Sequence, residues 1–190
     1  MVLQDHKKMA KNNFENIGIL GGSFDPPHRG HLYVSKKSIK LLKLKKVIWA
    51  ITKKNPLKKS PFFSFSFRRK LCQEVIKDQK KIQLKHYEDK IKSKTSIALI
   101  KFLKKRFKHD IYFIIGSDNL INFHKWKNYK ELLKLCILVV FSRKGFDTKA
   151  KKSVIMRHLK GKNIKFFKNL KIDISSTQLR SKIINGSKKN

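Results

Sequence analysis

The sequence has little negative charge. Only 12 Asp and Glu stand against 48 Lys and Arg, so the formal net charge is +36, and no acidic residue occurs between Pro26 and Gln73. This imbalance favours an anionic partner, either a small substrate or a nucleic acid. Only seven of these basic residues are Arg, the residue that nucleic-acid-binding proteins prefer for contacts with bases and phosphates. Nucleic acid therefore stays a possible partner but is not favoured.

Long hydrophobic runs and cysteine clusters are also missing. No stretch reaches the roughly 20 apolar residues of a membrane span, so no membrane partner is expected. The polar residues 1–15 lack the apolar core of a secretory signal. We expect residues 1–15 to form a frayed extension and residues 16–190 a single domain. Cys72 and Cys136 lie in apolar patterns, which indicates buried, reduced thiols in a cytoplasmic protein.

Apolar runs and helical periods alternate along the chain. The runs typical of strands are Ile17–Leu20, Val47–Ile51, Ile82–His86, Ile111–Ile115, Ile137–Phe141 and Ile164–Phe167. The segments with helical periodicity are His31–Lys46, Ser66–Ile76, Ser96–Phe107 and Asn128–Leu135. Continuous apolar runs are typical of strands covered on both faces. The pattern predicts a doubly wound α/β domain with a mostly parallel sheet and right-handed crossovers.

Three polar segments follow apolar runs. They are GGSFDPPHRGH (Gly21–His31), GSDN (Gly116–Asn119) and SST (Ser175–Thr177). In doubly wound sheets, ligands bind beyond the carboxyl ends of the strands. Each loop alone could be an ordinary turn or helix cap, but three at one edge predict a binding site there.

His28 and His31 are three residues apart at a predicted helix start. A zinc site would need a third ligand, and Asp25 is the only close carboxylate. The imidazoles could instead cap or pack the helix. The alternative that we favour is that both donate hydrogen bonds to phosphate oxygens, helped by the helix N-terminus and by the glycines before them.

The segment ISSTQLR, Ile174 to Arg180, is the second candidate anion site. Its Ser and Thr residues are good N-cap residues, and a cap alone would explain them. Arg180 lies one turn further on, where it could reach a second phosphate. Two helix N-termini, two His and one Arg together indicate a nucleoside triphosphate.

GGSFDPPHRGH and ISSTQLR resemble the two signatures of the nucleotidyltransferase superfamily, whose members carry an H-x-G-H motif. The segments GSDNLINFHKWKNY, NPLK and SKTSIALIKFL look like bacterial nicotinate-nucleotide adenylyltransferases. The resemblance covers roughly residues 17–184 and implies a Rossmann-like nucleotidyltransferase fold. Pantetheine-phosphate adenylyltransferases of the same superfamily typically have Thr in place of the first His.

The resemblance implies adenylyl transfer from ATP to nicotinate mononucleotide, a step of NAD biosynthesis. It implies catalytic roles for His28, His31 and Arg180. The implied ATP-binding residues are Gly21, Gly22, Ser23, Phe24, His28, His31, Ser176, Thr177 and Arg180. The implied nicotinate nucleotide-binding residues are Lys58, Arg68, Thr95, Gly116, Asp118 and Trp126. The sequence departs from the family at Ala98 and Tyr129, where a second Thr and a second Trp are frequent.

The implied reaction suits a site that is poor in carboxylates. A phosphate monoester has its second pKa at about 6 and is already mostly dianionic at neutral pH, so no general base is required. Positioning and electrostatic stabilisation then supply most of the catalysis. Mg²⁺ is expected as the cofactor, held through the ATP phosphates and water rather than by protein ligands.

Overall fold

The structure is a computed structural model, and it describes residues 16–54, 60–160, 162–168 and 176–186. The expected extension over residues 1–15 and the predicted ligand Lys58 lie outside the described residues. So does Ser175, the first residue of the third polar segment.

The strands form one sheet in which every pairing is parallel. Their order is β3-β2-β1-β4-β5-β6. The bounds are β1 Ile17–Gly22, β2 Lys46–Ile51, β3 Ile82–Lys85, β4 Ile111–Gly116, β5 Ile137–Phe141 and β6 Ile164–Phe167. The predicted doubly wound α/β fold is therefore confirmed. The strand order reverses between β1 and β4, so the crevice at their carboxyl ends is where a ligand is expected.

Helices connect the strands and cover both faces of the sheet. Their bounds are α1 Arg29–Leu41, α2 Phe65–Ile76, α3 Glu88–Ile91, α4 Ser96–Arg106, α5 Ser117–Ile121, α6 Tyr129–Leu135, α7 Asp147–Lys151, α8 Val154–Leu159 and α9 Ser176–Gly186, with a 3₁₀ helix at Phe123–Lys125. No helix in the described ranges is long and apolar enough to cross a membrane.

The first helix differs from its prediction at both ends. It begins at Arg29, before His31, because His28 caps it, and it ends at Leu41 rather than Lys46. Lys43 has a φ of 49°, and the Leu44 N–H donates to the Ile39 carbonyl, a typical way to end a helix. Leu44 is then buried in the core, so it continues the apolar period without continuing the helix.

Alternate side chains of the central strands enter two apolar cores. Ile48 packs on one side of the sheet, below α4 and α6, and Trp49 packs on the other side, below α1 and α2. Both side chains are fully buried, and burying one such side chain stabilises the fold by about 1.5–3 kcal/mol. Cys72 and Cys136 are buried and free, as predicted, and burial raises the pKa of each to about 12.

Candidate functional site

His28 and His31 are held by backbone hydrogen bonds at the start of α1. His28 is the N-cap residue, and its Nδ1 accepts the Gly30 N–H at 3.1 Å. The Nδ1 of His31 accepts the His28 N–H at 3.2 Å. A neutral imidazole that accepts at Nδ1 carries its proton on Nε2. Both rings, 3.9 Å apart between centroids, are therefore hydrogen-bond donors through Nε2.

The surroundings of His28 keep its ring neutral. Burial, and secondly the positive charge of Arg143, lower the pKa of His28 from 6.5 to about 4. At neutral pH the ring is an uncharged donor rather than a cation. It can hydrogen-bond to a phosphate oxygen without first losing the water that surrounds an exposed charge.

This low pKa predicts that stability depends on pH. Between pH 6.5 and 4 the unfolded chain takes up a proton at His28 that the folded chain does not, so the free energy of unfolding falls as pH falls through that window. His28→Asn keeps an N-cap oxygen but does not titrate. We expect wild type to lose stability relative to His28→Asn between pH 7 and 4.5, measured by urea unfolding.

The exposed His158 provides the matched control for this experiment. His158→Asn should follow the wild-type pH dependence. Parallel pH profiles for wild type and His28→Asn would contradict the lowered pKa.

The second predicted anion site packs against the first. The Ser176 hydroxyl donates to the Pro26 carbonyl at 2.9 Å, across 150 residues of sequence. Arg180 donates through Nη1 to the Asp25 carbonyl at 2.5 Å and through Nη2 to the Thr177 hydroxyl at 3.1 Å. The Asp25 carboxylate lies 3.6 Å from Nη1. The β1–α1 loop and the start of α9 therefore form one surface rich in hydrogen-bond donors.

A cavity of about 370 Å³ opens beside this surface at the carboxyl ends of β1 and β2. Gly21 and Gly22 form part of its wall, so it begins where the β1–α1 loop begins. Thr95 and Trp126, for which the resemblance implies contact with the nicotinate nucleotide, both line it. The Trp126 ring stacks on Phe123 with centroids 4.7 Å apart, which leaves a flat aromatic wall.

The charged residues around this cavity are mainly basic. Lys94, Lys125 and Lys127 contribute to its lining and are exposed, whereas Glu88 is the acidic residue in that lining. The Glu88 carboxylate accepts hydrogen bonds from the Thr52 hydroxyl and from the Lys53 N–H. The cavity therefore combines an aromatic wall with a positive rim, which suits a planar ligand that carries negative charge.

Gly116 and Asp118 do not line this cavity. Asp118 forms an ion pair with Arg143 through Oδ2 at 2.7 Å, and Gly116 leaves room for the Asp118 carboxylate, which a Cβ would contact. Within the described part of the chain, the buried Asp118 Oδ1 has no hydrogen-bond partner. A buried acceptor without a partner is costly, and this one is enclosed by protein rather than open to the cavity.

Arg68 does not occupy the position that was predicted for it. Its side chain is 1% exposed, and its guanidinium donates to the carbonyls of Ser23, Thr52, Lys53 and Phe63. A guanidinium has five donors, and these contacts use most of them. Arg68 therefore holds the loops after β1 and β2 together from the protein interior, and it does not face a nucleotide phosphate.

Phe24 is expected to contact ATP through its backbone, as part of the segment Gly21 to Phe24. Its ring is buried, so any contact with ATP is through its backbone, which has a φ of 48°. The ring lies 4.9 Å from the His31 ring. Phe24 therefore both shapes the loop and supports a histidine.

Two residues of the site were not identified from the sequence. Arg143 follows β5, pairs with Asp118 and acts on His28. Asp25 accepts the Phe62 and Phe63 N–H groups at 2.7 and 2.9 Å in addition to its contact with Arg180. Their position in the sequence could have identified them. Each lies in a loop that follows a strand, and ligand sites concentrate in such loops. Over the described ranges, no three His, Cys, Asp or Glu side chains cluster as metal ligands.

Comparison with known proteins gives consistent results. The family model described as cytidylyltransferase-like matches residues 19–182. A probable nicotinate-nucleotide adenylyltransferase of Pelagibacter ubique is 47% identical, covering 86% of this chain and 91% of that protein. A protein of the same description from Aquifex aeolicus is 33% identical, with coverage of 84% and 98%. Plasmodium falciparum nicotinic acid mononucleotide adenylyltransferase complexed with NaAD has a similar fold, with a TM-score of 0.70 at 23% identity, covering 88% and 83%.

Proposed function

Because the chain belongs to the nicotinate-nucleotide adenylyltransferase family of cytidylyltransferase-like proteins, we propose that it transfers the adenylyl group of ATP to nicotinate mononucleotide, in NAD biosynthesis. The products are nicotinate adenine dinucleotide and pyrophosphate. One observation carries the proposal. The cavity lined by Thr95 and Trp126 is also lined by Gly21 and Gly22, and the loop that follows these glycines leads to His28 and contacts Arg180.

The ATP phosphates bind between the two helix starts. The Nε2–H groups of His28 and His31 donate to them from α1, and Ser176, Thr177 and Arg180 contact them from α9. The backbone from Gly21 to Phe24 completes the site, since glycines allow close approach to a phosphate. Both helices are long enough to direct the positive ends of their dipoles at the phosphates.

The reaction is an in-line displacement at the α-phosphorus. An oxygen of the mononucleotide phosphate forms the new P–O bond, and the bond to pyrophosphate breaks, with its electron pair leaving on pyrophosphate. The nucleophile is already ionised at neutral pH, so the protein positions two anions and stabilises the leaving charge. Neutral histidine donors and the Arg180 guanidinium supply that stabilisation without a general base.

The nicotinate ring occupies the 370 Å³ cavity. Trp126 stacks on the ring, and the Thr95 region at the start of α4 supplies N–H donors to the carboxylate. Lys94, Lys125 and Lys127 make the rim positive, which favours a carboxylate over a neutral carboxamide. Asp118, whose Oδ2 pairs with Arg143, is the residue that the resemblance assigns to the nucleotide sugar.

Mg²⁺ accompanies ATP in this proposal. Among the described residues no three His, Cys, Asp or Glu side chains form a cluster of metal ligands. The ion would enter with ATP, whose phosphates His28, His31 and Arg180 bind. It would neutralise part of the phosphate charge. Replacing Asp25 would therefore act through Arg180 and the Phe62–Phe63 segment rather than through the metal.

The test is a pyrophosphate-release assay with MgATP and three separate acceptors. We expect release with nicotinate mononucleotide, with kcat/KM at least about tenfold above that for nicotinamide mononucleotide, because one lost charge contact is worth about 1.4 kcal/mol or more. A preference for phosphopantetheine, or no activity with nicotinate mononucleotide, would reject the proposal. Tight, salt-dependent RNA binding without adenylyl transfer would instead support the nucleic-acid alternative.

A further inference from the structure

Two buried aromatic rings lie beneath His31. Trp49, in β2, is 0% exposed, and Phe24 stacks on it with centroids 4.8 Å apart and planes at 14°. The His31 ring lies 4.9 Å from Phe24 and 5.9 Å from Trp49, which it meets edge to face. The His31 ring therefore lies against two aromatic rings.

A chain of buried hydrogen bonds joins the same tryptophan to the backbone of His31. Trp49 Nε1–H donates to the Ser35 hydroxyl at 2.8 Å. The Ser35 hydroxyl donates in turn to the His31 carbonyl, also at 2.8 Å. Ser35 is fully buried. Its bond with Trp49 is buried and its bond with His31 is partly buried, and hydrogen bonds are electrostatically stronger away from water.

Core packing alone does not require an indole at this position. Val47 and Ile51 lie on the same face of β2 and fill the same core with aliphatic side chains. Trp49 differs from them in having a polar donor, and that donor is directed at the residue that bonds to His31. A buried Trp N–H without a hydrogen-bond partner is costly. Buried tryptophans are therefore usually found where an acceptor faces the N–H.

We propose that Trp49 is a positioning residue of the adenylyl-transfer site: through Phe24 and Ser35 it fixes the orientation of the His31 imidazole. The inference rests on the proposed function. The bond from the His28 N–H to His31 Nδ1, at 3.2 Å, forms only while the ring keeps this orientation. That bond in turn keeps the His31 proton on Nε2, facing the phosphates.

The kinetic test uses two substitutions that separate the ring from its donor. Trp49→Phe keeps an aromatic ring but loses the N–H and part of the ring system, whereas Trp49→Leu loses both the N–H and the aromatic support. We expect kcat to fall about tenfold in the first and about 10²-fold in the second, because small misplacements of a reacting contact have effects of this size. KM for nicotinate mononucleotide should change little, since Trp126 and Thr95 are untouched.

Ile48→Ala is the matched control for lost stability. Ile48 is a buried neighbour of Trp49 in β2 but faces the opposite core. Ile48→Ala should lower the melting temperature by about as much as Trp49→Leu does and should leave kcat near the wild-type value. Equal loss of kcat in Ile48→Ala and Trp49→Leu would overturn the proposal, because Trp49 would then act only through general stability.

A second readout does not depend on turnover. In ¹⁵N-histidine-labelled protein, nitrogen chemical shifts report which ring nitrogen carries the proton. We expect wild-type His31 to be the Nε2–H tautomer and Trp49→Leu to give a mixture of tautomers. An unchanged His31 tautomer in a folded Trp49→Leu variant would overturn the positioning role. Wild type that shows this tautomer but no activity with nicotinate mononucleotide would reject only the proposed function.

Discussion

His31→Ala is expected to lower kcat by about 10²–10³-fold, the usual cost of removing one preorganised donor from a site of charge development. The His31 Nε2–H group is aimed by two contacts, the His28 N–H at Nδ1 and the Phe24 ring against its face. Alanine removes the donor but leaves the His28 cap on Gly30 intact. The measurement is steady-state pyrophosphate release with saturating MgATP and nicotinate mononucleotide.

The fold should survive this substitution. The lost acceptor at the helix start costs about 1 kcal/mol, which thermal unfolding can measure. His158→Ala, at an exposed position on α8, is the matched control and should keep wild-type kcat. Normal turnover in folded His31→Ala would remove the central claim that this histidine binds the reacting phosphates.

The strands could be predicted because their apolar runs are continuous. Covered parallel strands need apolar side chains on both faces, and Ile111–Gly116 shows this pattern without a break. The end of α1 could not be predicted in the same way. Leu44 is apolar at a helical spacing, yet the left-handed Lys43 turns the chain before it. Backbone conformation at a single lysine is not visible in a hydrophobic pattern.

The candidate site was predictable where one loop carries several special residues. His28 and His31 share the segment that leads into α1, and the prediction that they bind phosphate follows from that position. Arg68 and Arg143 show what sequence could not supply. Arg68 lies within α2 and Arg143 follows β5. Arg68 is buried against four carbonyls, and Arg143 pairs with Asp118. Which partner an arginine meets is a tertiary property, because the partners lie 5 to 45 residues away.

The second large effect is expected at Arg180. Its side chain is 27% exposed, and its guanidinium already contacts the Asp25 carbonyl and the Thr177 hydroxyl. These contacts hold the guanidinium in place and leave its other N–H groups free to donate to phosphate oxygens. Arg180→Ala should lower kcat about 10²–10³-fold. Arg180→Lys keeps the charge but cannot hold Asp25 and a phosphate together, so it should still lose about tenfold or more.

The split between kcat and KM provides the sharpest check on Arg180. Loss of an interaction made only in the transition state lowers kcat, whereas loss of one made equally with bound ATP raises KM. Arg180→Lys should therefore lower kcat for pyrophosphate release about tenfold and leave KM for ATP near the wild-type value. Arg157→Lys, at an exposed position on α8, should change neither constant. A variant at Arg180 that raises only KM for ATP and keeps the wild-type kcat would place this guanidinium in ground-state binding and not at the reacting phosphates.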